Sequence, residues 1–162
     1  MKVMGIDLGI SKVAWSIWEE DVLVGTHAFI STHSHRPWQL RECARHISLM
    51  NQRLMPDHIW IEDTLIGNNK KYSIKLSQTM GAVLSEIYRS HDKIFTVNVS
   101  TWKKEVIGSG HASKEDIQSY LYSRDSAYAV LCGNDQDRFD AACIGYYGVL
   151  IANRAGAMAD SG

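Results

Sequence analysis

Four acidic side chains carry the chemistry open to this sequence. Asp7 lies inside an otherwise apolar run, residues 3–8, that reads as a buried β-strand. An ionised carboxylate there costs several kcal/mol unless a charge answers it, and a bound cation is the direct answer. Gly5 and Gly9 leave bare backbone on either side of it, as close approach of a ligand requires. The plain alternative for Asp7 is a helix cap or a buried ion pair. Glu62 closes a second short apolar run, His-Ile-Trp-Ile-Glu. Asp137 and Asp140 are three residues apart, which puts both on one face of a helix near its N-terminus, where the dipole favours negative charge. Asp135 and Gln136 fall off that face, and Asp63 points away from Glu62 as a solvated or capping residue. If the helix start meets the strand ends, all four carboxylates converge and repel one another without cations. Oxygen ligands with no cysteine or histidine suit Mg²⁺ or Mn²⁺. Two such ions about 4 Å apart are the layout of two-metal phosphodiester hydrolysis.

The elements that must position these groups read as βββαβαβα. Strand patterns cover 3–8, 13–18 and 22–30, joined by turns short enough for an antiparallel meander. A helix over 34–54 carries Pro37 in its first turn, and a strand over 58–62 follows it. A polar loop, Gly67-Asn68-Asn69-Lys70-Lys71, leads into a helix over 72–90 with Ile74, Leu76, Met80, Val83, Leu84 and Ile87 as its apolar face. Gly81 in its middle costs up to about 1 kcal/mol against Ala, which points to a close helix contact. A fifth strand covers 94–99, and Ser100-Thr101 can cap a short helix. The Ser113/Asp116 spacing resembles a capping box, and a last helix covers 136–152. Helical crossovers make strands one, four and five parallel neighbours in a mixed five-stranded sheet with helices on both faces. Asp7 and Glu62 then lie at the carboxyl ends, where such sheets gather ligands. Residues 1–154 are expected to form one domain and 155–162 a flexible tail.

Composition narrows the class. A net charge of −1 gives no global pull toward nucleic acid, so any such binding rests on local patches. No apolar run reaches the roughly 20 residues that cross a membrane, and the N-terminus reads as a strand, not a signal peptide. Three widely spaced cysteines argue against a disulfide framework and for a reducing, cytoplasmic setting. His33, His35, Cys43 and His46 read as a scattered set, not a zinc site. Trp102, beside two lysines, is a candidate for stacking on DNA.

Five segments in order resemble the RuvC-type Holliday-junction resolvases, a branch of the ribonuclease H-like fold. They are Gly5-Ile6-Asp7-Leu8-Gly9, Ile61-Glu62, Leu76-Ser77-Gln78-Thr79-Met80-Gly81, the run from Val106 through Lys114, and Asp137-Arg138-Phe139-Asp140-Ala141-Ala142. The resemblance implies a homodimer, cytoplasmic in a bacterial or phage-infected cell, that nicks two strands of a four-way DNA junction with Mg²⁺ or Mn²⁺, two ions per subunit. In that reading Asp7 bridges the ions, Glu62 and Asp140 each ligate one, and Asp137 completes the set. Each nick leaves a 5′ phosphate. The 72–90 helix lies at the dimer interface, which accounts for Gly81.

Where bacterial relatives carry an aromatic wedge after the second carboxylate, this chain has Leu65 and Ile66, a departure that favours a phage member. An apolar wedge still unstacks bases. Asn68, Asn69, Lys70, Lys71, Lys75, Lys103, Lys104 and Lys114 are the expected DNA contacts, with Ser109 in a glycine-rich turn offering a backbone amide to phosphate. Two other readings compete. Actin-like ATPases share the Gly-Ile-Asp-Leu-Gly strand but need a second lobe that 162 residues cannot hold. A non-catalytic junction-binding module, or a ribonuclease H-like nuclease acting on RNA, fits the fold, yet four unpaired carboxylates argue against lost catalysis.

Overall fold

A computed structural model describes residues 1–64 and 69–159. Strands β1 (Lys2–Leu8), β2 (Lys12–Glu19) and β3 (Val22–Ile30) form the expected antiparallel meander. Helix α1 (Arg36–Leu54) returns the chain to β4 (His58–Glu62), and α2 (Lys70–Ile87) returns it to β5 (Ile94–Val97). Both β4 and β5 run parallel to β1, giving a five-stranded sheet in the order β3-β2-β1-β4-β5. Four helices follow: α3 (Val99–Ile107), α4 (Lys114–Arg124), α5 (Ser126–Cys132) and α6 (Gln136–Ala159).

The sheet separates two apolar layers, and strand alternation decides which residue enters which. Met4, Ile6 and Leu8 of β1, with Ile59 and Ile61 of β4, pack against Cys43, Ala44 and Ile47 of α1 and Met80, Val83 and Ile87 of α2. Val3 and Trp60 point the other way, toward Phe139, Ala142, Cys143 and Ile144 of α6. Apart from the half-buried Asp140, helix α6 is buried from Phe139 to Val149, as a central helix must be.

Helix α6 reaches the sheet because glycines line the crossing. A Cβ on Gly5 would collide with the backbone of Ala141 and Gly145, and one on Gly145 would lie 2.6 Å from Ser16 Oγ. Ser16 Oγ and Trp18 Nε1 then donate to the carbonyls of Ala141 and Ala142, at 2.7 and 2.9 Å. Gly5 therefore admits a helix, not a ligand, and this corrects the reading drawn from sequence. Gly9 belongs to the β1–β2 turn, its N–H donating to the Lys12 carbonyl at 2.7 Å.

Other expectations shift with the packing. Helix α2 begins at Lys70, capped by the Asn69 side chain, and Ile74 is 60% exposed, not part of its buried face. Asn98, not Ser100-Thr101, caps α3, accepting from Ser100 N. The capping box at Ser113 and Asp116 is present. The segment from 155, expected as a flexible tail, continues α6 to Ala159 because its alanines favour helix.

Candidate active site

Alternation along β1 and β4 puts Asp7 and Glu62 on the α6 side of the sheet, at the carboxyl ends of neighbouring parallel strands. The crossing at Gly5 brings the first turns of α6, with Asp137 and Asp140, over the same spot. The convergence shows in the electrostatics. Burial, then the like charges of Glu62, Asp140 and Asp137, hold the Asp7 pKa well above the usual carboxylate range. Burial also raises Glu62 and Asp140, each with a further push from a neighbouring carboxylate.

Each of the other three acids rests on a neighbour. Trp102 Nε1 donates to Glu62 Oε2 at 2.8 Å. Gln136 Nε2 donates to Asp140 Oδ1 at 2.9 Å. Lys12 Nζ lies 2.7 Å from Asp137 Oδ2 and 2.6 Å from Asp135 Oδ1. Among the described residues no three His, Cys, Asp or Glu side chains form a ready metal cage. The donor set is nevertheless that of a hard divalent ion: carboxylate oxygens only, three of them largely desolvated, with more negative than positive charge around Asp7.

Sequence reasoning missed Lys12, Gln136 and the ion pair of Asp135 with Lys12, though Asn134-Asp135 reads from sequence as the cap of the last helix. Asp135 caps α6, its side chain accepting from Asp137 N at 3.1 Å. Trp102 is fully buried, so it cannot stack on DNA; it orients Glu62 instead. Lys103 and Lys114 stand close enough to Asp140 to act on its charge, and Lys103 Nζ also donates to the Ala112 carbonyl at 2.9 Å. Lys70, Lys71 and Lys104 are exposed, Lys75 half-buried. Ser109 sits in an exposed turn after the left-handed Gly108, its hydroxyl accepting from His111 N at 3.3 Å. Leu65, Ile66 and Asn68 lie outside the described residues. His33 pairs with Glu42 at 3.2 Å while His46 accepts from Trp15 Nε1 at 3.2 Å, so the histidines are separately engaged.

Replacing Trp102 with Phe keeps a ring but removes the donor to a buried carboxylate. The expected cost is about 2 kcal/mol, the worth of a hydrogen bond to a charged group. At 2–4 °C per kcal/mol for a chain of this size, the melting temperature falls by roughly 4–8 °C in calorimetry. An unchanged melting temperature would mean that the indole does not hold Glu62.

Comparison with known proteins places this arrangement. The family model "Crossover junction endodeoxyribonuclease RuvC" matches residues 3–123, which include Asp7 and Glu62. A curated relative, the crossover junction endodeoxyribonuclease RuvC of Rickettsia conorii, is 25% identical over 162 residues, covering 94% of this chain and 99% of its own. In structure the chain is similar to Thermus thermophilus RuvC, with a TM-score of 0.79 at 17% identity over 96% of this chain and 97% of that one. The same relative in complex with a Holliday junction substrate also gives 0.79 at 17% identity, over 96% of each chain. That likeness carries the fold through α6, beyond the stretch matched by the family model. On these matches the chain belongs to the RuvC family of crossover junction endodeoxyribonucleases.

Proposed function

We propose that the protein is a divalent-metal-dependent, structure-selective endonuclease that resolves four-way and related branched DNA by paired nicks, each leaving a 5′ phosphate. One observation carries this reading: three desolvated carboxylates, Asp7, Glu62 and Asp140, meet on the α6 side of the sheet with too little positive charge to balance them. With Asp137 they would hold Mg²⁺ or Mn²⁺. Two bound ions supply an activated water and stabilise the leaving 3′ oxygen. The chain's own part is positional. Trp102 and Gln136 aim Glu62 and Asp140, and the α6 crossing keeps the helix acids over Asp7.

Lys103 and Lys114, beside Asp140, are the proposed phosphate contacts nearest the cut. Asn69, Lys70, Lys71, Lys75, Lys104 and Ser109 extend them, and Leu65, Ile66 and Asn68 would form the wedge loop. Supporting a homodimer through α2 is a strip of exposed Ile74, Gln78, Gly81 and Ser85 along that helix. A Cβ on Gly81 meets nothing within 4 Å in the single chain. Gly81→Arg is therefore expected to leave the fold intact while halving the mass seen by sedimentation; a dimeric Gly81→Arg would remove α2 from the interface. Among the described residues no helix is long and apolar enough to cross a membrane. Three buried free cysteines suit a reducing cytoplasm.

The test is a synthetic four-way junction labelled on each arm in turn, incubated with Mg²⁺ or with chelator. Paired symmetric nicks that need the ion are expected, with Asp7→Asn binding but not cutting. Binding without nicking in every divalent ion would favour a junction-binding module, and cutting confined to RNA the ribonuclease reading.

A further inference from the structure

The four acids at the site are not equivalent, and Lys12 makes the difference. Lys12 opens β2, the antiparallel partner of β1, and its backbone carbonyl closes the turn that follows Asp7. From there its side chain reaches across to the start of α6 and lies within 2.7 Å of both Asp135 and Asp137. Its side chain is 25% exposed, against 27% for Asp135 and 42% for Asp137, so the Asp135 contact is partly shielded from solvent and the Asp137 contact is the more open of the two. Asp135 is committed twice, to Lys12 and to the α6 cap. Among the described residues Asp137 is thus the one member of the acidic set with a lysine at contact distance, an ammonium it shares with Asp135. Among the described residues Glu62 and Asp140 have neutral donors at that range, an indole N–H and a carboxamide.

A divalent ion that recruits Asp137 must displace the Lys12 ammonium. An ion bound by Asp7, Glu62 and Asp140 meets no ammonium at contact distance among the described residues, although Lys103 and Lys114 act on Asp140, and Lys12 on Asp7, from farther away. We infer that Lys12 is a built-in counter-ion competing for Asp137, so that the DNA-free protein takes up one divalent ion per chain readily and a second only weakly. Bound DNA would then supply phosphate oxygens to hold the second ion. Lys12 is accordingly a positioning residue that acts through Asp137, and this inference rests on the metal-dependent reading given above.

Direct measurement of Mn²⁺ uptake by the full chain, without DNA, tests it. Electron paramagnetic resonance of free Mn²⁺, or calorimetry, is expected to count one ion per chain, with a second at least about tenfold weaker. In Lys12→Met the second ion is expected to bind about tenfold more tightly, the effect of removing one opposing charge at contact distance. Lys12→Gln should behave as Lys12→Met does, which covers the case that one of them fails to fold. Lys12→Arg, which keeps the charge, should match the native chain. Mn²⁺ uptake unchanged or weakened in both neutral variants would overturn the proposal, as would two equal ions in the native protein. Asp7→Asn separates the two claims. If it leaves Mn²⁺ uptake untouched, the acidic cluster is not the metal site and the nuclease reading fails, whatever Lys12 does.

Discussion

Asp7→Asn is expected to slow nicking by about 10³-fold while raising the melting temperature of the metal-free protein. The first effect follows because ions at such a site contribute several kcal/mol of transition-state stabilisation, and each 1.36 kcal/mol is a factor of ten. The second follows from burial. In the absence of cations Asp7 is a desolvated carboxyl facing Glu62, Asp140 and Asp137, and an uncharged amide of the same shape escapes that repulsion. The pH dependence has a definite sign. Asp7 holds its proton in the folded chain above the ordinary aspartate value of 3.8, whereas the unfolded chain releases it there. Between those two points the folded state binds more protons, so stability falls as pH rises, and below 3.8 the loss is absent. Glu62 and Asp140 shift the same way, so Asp7→Asn flattens this slope without removing it. Mg²⁺ should stabilise the native chain and leave the variant's melting temperature nearly unmoved, since only an ion that binds the folded state shifts it. Scanning calorimetry with and without Mg²⁺, beside a junction-nicking assay, reads all of these. A variant that melts lower than the native protein without metal would show that Asp7 is answered by a partner after all.

Gly5→Ala is expected to be nearly as damaging, through packing and not chemistry. The added methyl would collide with the Gly145 amide and the Ala141 carbonyl, both helix backbone, neither able to swing aside. Relief requires lifting α6 from the sheet, which also breaks the Ser16 and Trp18 bonds to its carbonyls. Overpacking of this kind costs about 3 kcal/mol, the top of the usual range. That corresponds to a melting temperature lower by roughly 6–12 °C. Because the same helix carries Asp137 and Asp140, nicking should fall by more than the unfolded fraction explains. Ala at Gly156, on the exposed end of α6 with nothing within 4 Å of an added methyl, is the control that should lower neither measurement.

Much of this was legible in the chain. The period-two pattern of β1 and β4 fixes which face receives Asp7 and Glu62, and the three-residue spacing of Asp137 and Asp140 fixes their shared helix face. Local signals failed where a tertiary neighbour decided the outcome. Gly5 looks from sequence like room for a ligand, and only the path of α6, some 140 residues later, shows that the room is taken. Lys12 carries no motif; it matters because the β1–β2 turn aims it at a helix far along the chain. Trp102 beside two lysines has the composition of a stacking platform, yet its ring fills the core beneath Glu62. Ile74 is apolar but falls by helical spacing in line with the exposed Gln78, Gly81 and Ser85, beside the buried line of Ser73, Met80, Val83 and Ile87.

The sheet is one residue thick, and the four acids of the proposed site stand on its α6 side, while α1 and α2 occupy the other. Changes on the outer surface of those two helices are therefore expected to leave the proposed site unaltered so long as Met4, Ile6, Ile59 and Ile61 keep their cover. A lineage or a designer can revise the handle without regrinding the blade.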